Sequence, residues 1–296
     1  MTAPLVPAGA RVGFVAHAGG RVRVLRGGGP GGVPVVLVHG GGPDNAAISW
    51  FEVFGELARS RPVLAPDLPG FGRTDGVPVD GSPAAMADLA VAVAGAGPAV
   101  WIGVSMGGDV VLNVALRHPG AVAGLVAVAP GGLAAYAGNR VLHPLAWLAC
   151  RLPDAVLLPA LRLAGRFTGA AVRAMVHDPA SVPPAVREEM VRESRRAPTG
   201  YLRYNQATVG PWRMRNDLSG RVGRIRAPAL FVHGRQDRLV DPRDSLRAAA
   251  AMPDARAVLL DGCGHWVQIE ARDRFLAELG PFLRRIDDEH DRGART

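Results

Sequence analysis

The chain contains no lysine: its 34 basic residues are all arginine, and they leave a formal charge of +8 over 296 residues. An excess of this size is compatible with nucleic acid or an anionic surface as a partner. The arginines, however, are scattered and often stand beside acids, as in Arg187-Glu188-Glu189 and Arg192-Glu193. No basic stripe is interleaved with aromatics, so nucleic acid is not expected and the arginines read as solvated faces. Cysteine is nearly absent too. Cys150 and Cys263 are too few for a disulfide scaffold or a zinc cluster, and no metal or cofactor is expected.

Long uninterrupted apolar runs are also missing. Residues 142–163 come nearest, but Arg151, Asp154 and Arg162 interrupt them, as do Pro144, Pro153 and Pro159. This segment reads as buried or cleft-facing helices and not as a membrane span. Residues 1–20 lack the basic start and apolar core of a signal peptide, so a cytoplasmic location is the expectation.

What is present is a chain that is 48% hydrophobic, enough for one large core with an inserted subdomain. Two short apolar runs, 11–16 and 21–26, flank Gly19-Gly20 as an opening hairpin. Residues 33–38 form a dense β-branched strand ending at His39. A short helix is expected over 50–58, a strand over 62–66, and a helix over 82–94 with Ser82 as cap and Pro83 in its first turn. A strand at 99–103, a helix at 109–117 and a strand at 122–128 follow. Residues 134–217 are largely helical and punctuated by proline. Alternation resumes with a strand at 229–232, a helix after Pro242, a strand at 257–260 and a last helix over 271–285. The charged tail after Asp287 is expected to fray. Strand–helix alternation implies parallel strands with helical crossovers. The fold class is therefore α/β, a mostly parallel central sheet flanked by helices, with a core of 1–133 and 218–296 and a helical cap of 134–217.

Gly103-Val104-Ser105-Met106-Gly107 falls where the pattern places a strand-to-helix turn. A serine there is held out of the sheet on a strained backbone, and flanking glycines let the chain fold over itself. Ser105 is the candidate nucleophile. A hydroxyl is a weak nucleophile without a base and a site for developing charge. His265 follows a late strand and is the candidate base. Asp237 follows Phe231-Val232-His233-Gly234 and is the candidate orienter of its imidazole. Asp241 reads better as a helix cap before Pro242, Asp244 lies nearby, and Asp67 stands in the wrong chain order. His233 reads as support for the Asp237 loop, His39 as a partner of loop backbone, and His118 as a helix-end residue. His39-Gly40-Gly41-Gly42-Pro43 lacks the ending of a phosphate loop. The N–H groups of Gly41 and Met106 are the preferred oxyanion donors, with Gly42 the competitor.

Taken jointly, these motifs resemble the α/β-hydrolase family, with Asp67-Leu68-Pro69-Gly70-Phe71-Gly72 and Gly264-His265-Trp266 also matching. The resemblance implies Ser105, Asp237 and His265 as a catalytic triad, Gly41 and Met106 as the oxyanion hole, and residues 134–217 as a lid. His39-Gly40-Gly41-Gly42-Pro43 and Gly264-His265-Trp266-Val267-Gln268-Ile269-Glu270 also look like the meta-cleavage-product hydrolases, which cut carbon–carbon bonds in vinylogous diketo acids. Val104 departs from the Asn those enzymes usually carry before the nucleophile, and Trp50 stands near another expected polar position. A buried polar substrate needs such partners.

The expected function is thus a serine hydrolase that acts on a carboxylic ester of a small to medium, partly hydrophobic substrate through an acyl-enzyme intermediate. A carbon–carbon hydrolase and a non-catalytic binding protein are the alternatives. Gly42, Trp147, Tyr201, Tyr204, Trp212 and Trp266 are the expected substrate-binding residues. Phe167 also stands among the insert's aromatics. Arg195 and Arg196 read as surface residues. A homodimer is compatible with the sequence. An exposed apolar patch on the cap would favour an interaction role.

Overall fold

Alternation of side chains along β-branched runs decides the layers. The computed structural model describes residues 4–95, 97–196 and 199–293. It opens with a hairpin, β1 (Arg11–His17) and β2 (Gly20–Gly27), turning at Ala18 and Gly19, both with positive φ. Two successive positive φ values give the turn a twist that matches the strands. Then come β3 (Val35–Val38), α1 (Ala46–Ser49), α2 (Phe54–Ala58), β4 (Val63–Pro66), α3 (Pro83–Ala94), β5 (Ala99–Val104), α4 (Met106–Arg117) and β6 (Val122–Val128). An insertion carries α5 (His143–Cys150), α6 (Asp154–Ala164), α7 (Thr168–Met175), α8 (Pro184–Arg195) and α9 (Thr199–Thr208). The chain closes with β7 (Ala229–Gly234), α10 (Pro242–Ala251), β8 (Ala255–Leu260), α11 (Val267–Glu270) and α12 (Arg272–Gly293).

The eight strands form one sheet in the order β1-β2-β4-β3-β5-β6-β7-β8. β2 is antiparallel to β1 and β4; the other pairings are parallel. Period-two alternation splits the core between the faces. Val35, Leu37, Ile102 and Val232 pack with Trp50, Phe54 and Phe275, while Val36, Val38, Trp101 and Phe231 pack with Met86, Val110 and Val111. Strands buried on both faces need apolar residues at every position, and each such Val, Leu or Phe contributes ~1.5–3 kcal/mol.

Three expectations change. The helix over 50–58 starts late, because Trp50 closes α1 and helix resumes only at Phe54. The last helix continues to Gly293 instead of fraying after Asp287. Asp287 is the reason: it accepts from the Val33 N–H at 2.8 Å and from Arg61 at 2.9 Å, which ties the C-terminal helix to the start of β3. The segment 142–163 is neither buried nor cleft-facing. α5 packs on α9 and α6 on α8, and the opposite faces of α5 and α6 stay in solvent. No single helix among the described residues is long and apolar enough to cross a membrane.

Candidate active site

Ser105 stands between β5 and α4 with φ 55° and ψ −118°, a region that residues with a Cβ rarely occupy. Its backbone is fastened on both sides. The N–H donates to Val128 O at 3.0 Å, and the carbonyl accepts from Gly131 N–H at 2.8 Å. Gly107 is required by close approach, since a Cβ there would strike the carbonyls of Val38 and His39. The bend thus costs ~1–3 kcal/mol of local strain, offset by the surrounding packing.

The loop after β3 lies against this bend: a Cβ on Gly40 would stand 3.5 Å from the Ser105 Cβ. Asp44 sets the loop, its Oδ2 accepting from Gly40 N–H at 3.0 Å and from the Ser49 hydroxyl at 2.6 Å. Burial pushes the Asp44 carboxyl up to about 7, although its hydrogen bonds pull the other way. His39 pairs with Gly40 O through Nδ1 and accepts the Leu68 N–H at Nε2. Met106 is the first residue of α4, so its N–H has no acceptor within the helix. The Gly41 N–H has no partner among the described residues. The Tyr201 ring packs directly over Gly41, where a Cβ would collide with it.

Asp237 lies three residues beyond β7 with a fully buried side chain. Its Oδ2 accepts from His265 Nδ1 at 2.7 Å and from His233 Nε2 at 2.9 Å. Its Oδ1 accepts from the N–H groups of Leu239 and Val240 at 2.7 and 3.1 Å. Burial alone would raise this carboxyl. The hydrogen bonds from His233 and His265, with their charge, outweigh it and hold the group well below the usual carboxylate range. With Nδ1–H committed to Asp237, His265 leaves Nε2 as the acceptor a base needs. No hydrogen bond joins Ser105 to His265 among the described residues; such contacts are often long before substrate binds.

The His265 loop is strapped to the insertion. His265 N–H donates to Met175 O at 2.6 Å, and Glu270 accepts from both Gly264 N–H (2.6 Å) and Asp178 N–H (2.5 Å). Cys263, nearby and buried, has its thiol pushed up to about 12 by burial and then by Glu270, so it is no rival nucleophile.

Ser105 and Met106 open onto a cavity of about 610 Å³ whose walls include Gly131, Tyr201, Tyr204 and Asn216. The pairs Arg213–Asp217 and Arg247–Asp244 reach it too. Of the expected substrate-binding residues, Tyr201 and Tyr204 line this space, their rings stacked 6.0 Å apart. The others do not. Trp212 is 79% exposed, and Trp266 is buried in the core. Trp147 is partly buried away from the cavity, and Gly42 lines a separate hollow with Asp44, Glu193 and Arg196. Arg195 and Arg196 are exposed. Asp67 is structural: it is paired with Arg23 at 3.0 Å and accepts from Ala46 and Arg73 N–H groups.

Sequence reasoning did not single out Asp109 or Asn216. Asp109, one turn after Ser105, is buried and accepts from Tyr204 Oη at 3.0 Å, Asn216 Nδ2 at 2.6 Å and Asn113 Nδ2 at 3.0 Å. Burial pushes its carboxyl up to about 7 against these bonds. Its one signal was its position in the first turn of the helix that follows the nucleophile. Among the described residues no group of three or more His, Cys, Asp or Glu is arranged to hold a metal ion.

Comparison with known proteins bears on the fold and the family. The chain is 28% identical over 257 residues to a 2-hydroxy-6-oxo-6-phenylhexa-2,4-dienoate hydrolase of Burkholderia cepacia, covering 82% of this chain and 85% of that one. It is 30% identical over 282 residues to a 2-hydroxymuconate semialdehyde hydrolase of Pseudomonas sp. strain CF600, covering 86% and 88%. A thermophilic esterase from Thermogutta terrifontis superposes with a TM-score of 0.71 over 94% of this chain and 100% of its own, at 20% identity, a likeness of fold alone. The family described as alpha/beta hydrolase fold matches residues 33–272, and the chain belongs to it.

Proposed function

We propose that the chain is a serine hydrolase that cleaves a carboxylic ester of a small to medium, partly hydrophobic molecule through an acyl-enzyme. The observation that carries this reading is the Asp237–His265 hydrogen bond of 2.7 Å on the same sheet edge as a strained Ser105. His265 Nε2 takes the Ser105 proton as Oγ attacks the carbonyl carbon. The N–H groups of Gly41 and Met106 receive the oxyanion, with Tyr201 shifting off Gly41 as substrate enters. Each such donor is worth ~3–4 kcal/mol. His265 then protonates the leaving alcohol, and a water activated by the same imidazole releases the acid. Residues 134–217 act as the cap, with Tyr201 and Tyr204 as the wall facing Ser105.

A second reading, hydrolysis of a carbon–carbon bond in a dienoic diketo acid, is favoured by the relatives' names. Against it stand Val104 and Trp50. Both are fully buried in the apolar core; Val104 carries no polar group, and Trp50 carries only a buried indole N–H, which has no partner among the described residues. The test is turnover by the purified protein of a short-chain aryl ester and of a 2-hydroxy-6-oxo-dienoate, each against Ser105→Ala. Ester turnover lost in the variant supports the proposal. Turnover of the dienoate without the ester reverses the ranking, and equal ester turnover by both proteins removes Ser105 from the chemistry.

A further inference from the structure

The insertion presents two apolar helices with nothing on their outer faces among the described residues. On α5, Leu145 and Leu148 are 63% and 57% exposed; on α6, Val156 and Leu163 are 51% and 55% exposed. Their spacing is helical: positions 145, 148, 149 and 152 form one stripe and 155, 156, 159, 160 and 163 another, all exposed. The inner faces are occupied by α9 and α8. The two helices meet at 107° across a short break, too sharply bent for one span, and together they have the hydropathy of a membrane segment. A monomeric soluble surface rarely leaves so many large aliphatic side chains contiguous along the chain.

The stretch of sequence that carries these stripes is basic. Residues 134–173 contain five arginines (Arg140, Arg151, Arg162, Arg166 and Arg173) and one acid, Asp154. Asp154 is neutralised within the protein by Arg203, at 3.1 and 2.5 Å. Arg140, Arg151 and Arg162 are exposed. Aliphatic stripes edged by unopposed arginine match the interfacial region of an anionic bilayer, where apolar side chains enter the acyl boundary and guanidinium groups meet phosphate. A second copy of this chain would bring its own Arg140, Arg151 and Arg162 against the first three.

We propose that the outer face of α5 and α6 docks onto the surface of an anionic lipid bilayer, lying in the interface without crossing it. The start of α5 is fastened to the wall of the Ser105 cavity. His143, the first residue of α5, accepts the Ala137 N–H at 2.9 Å and bonds Gly210 O at 2.9 Å. Ala137 and its neighbours Tyr136 and Gly138 line that cavity. Docking ties this wall of the cavity to the bilayer surface, a route for a substrate that partitions into lipid.

Flotation of the full chain with vesicles of phosphatidylcholine alone, or of phosphatidylcholine with phosphatidylglycerol, tests this. The chain is expected to float with the anionic vesicles and to be released by added salt. Leu145→Glu with Leu148→Glu is expected to cut retention at least about tenfold with Tm unchanged, since both side chains are in solvent. Arg151→Gln with Arg162→Gln is expected to remove the preference for the anionic vesicles. The proposal is overturned if the wild-type chain stays with neither vesicle, or if the paired Glu substitutions leave retention intact. It is also overturned if light scattering gives a dimer that those substitutions dissociate, with no vesicle retention; a second copy then covers the face.

Discussion

Nε2 of His233 lies 2.9 Å from Oδ2 of Asp237, the same oxygen that accepts the Nδ1–H of His265. Nδ1 of His233 is 2.8 Å from the Ser245 hydroxyl, which fixes the tautomer: the hydroxyl donates to Nδ1, and Nε2–H donates to the carboxylate. Two imidazoles on one oxygen, and two backbone N–H groups on the other, leave the carboxylate no freedom to rotate away from His265.

His233→Phe keeps the volume of this contact and deletes its donor. The expected result is a fall in kcat of about tenfold, the equivalent of ~1.4 kcal/mol for one charge-assisted hydrogen bond, with KM unchanged. Steady-state kinetics on the substrate that the protein turns over check it. An unchanged kcat would mean that His265 and the two backbone donors suffice. Asp237→Asn, which removes the charge itself, is expected to cost on the order of 10⁴ in kcat, as in serine proteases.

The strained bend at Ser105 makes a stability prediction that is independent of chemistry. Ser105→Ala keeps a Cβ and so keeps the cost of φ 55°, whereas Ser105→Gly removes it. Glycine also gains entropy in the unfolded chain, which offsets part of the relief. Chemical denaturation is expected to find the Gly variant more stable than the Ala variant by ~1 kcal/mol, with neither turning over substrate. Equal stabilities would show that the surrounding hydrogen bonds have absorbed the strain.

At Gly41 the prediction is steric. A Cβ there runs into the Tyr201 ring, so Gly41→Ala displaces either the loop or α9. A displacement near 1 Å at a reacting centre costs about 10²-fold in turnover. If the ring is the obstacle, Gly41→Ala combined with Tyr201→Ala recovers part of that loss. Failure of the double variant to exceed the single one would place the damage in the loop backbone.

How much of this was legible from sequence follows from where each signal resides. β3, β5, β6 and β7 were readable because a strand buried on both faces must be apolar at every position, and few other elements are. The sharp bend at Ser105 was readable because a glycine-flanked serine sat between such a strand and an amphipathic helix. Asp109 and Asp44 were not readable, because an acid in the first turn of a helix or beside a glycine loop is usually a solvated cap. Their burial comes from Tyr204, Asn216 and Ser49, up to about 107 positions away in the chain. The outer faces of α5 and α6 failed for the converse reason: composition marks a segment as apolar but does not say which side finds a partner. Trp212 and Trp147 were assigned to the cavity on chemistry alone, and the packing of the insertion places them elsewhere.

Asp109 makes the last prediction. Its carboxyl is pushed up to about 7 in the folded protein from the ordinary 3.8, because burial outweighs the bonds from Asn216, Tyr204 and Asn113. Between pH 4 and 7 the folded chain therefore holds a proton that the unfolded chain has released. Stability falls as pH rises through this window, by ~1.4 kcal/mol per unit, and the slope vanishes above about 7, where both states are ionised. Asp109→Asn cannot titrate. The stability of wild type minus that of the variant is expected to decline by roughly 4 kcal/mol from pH 4 to 7 and then to stay flat. Asp44 shifts in the same direction but is present in both proteins, so it cancels in the difference. A difference that does not change across this range would mean that Asp109 ionises at its ordinary value inside the protein. The three donors from Tyr204, Asn216 and Asn113 would then be holding a full negative charge one turn from Ser105.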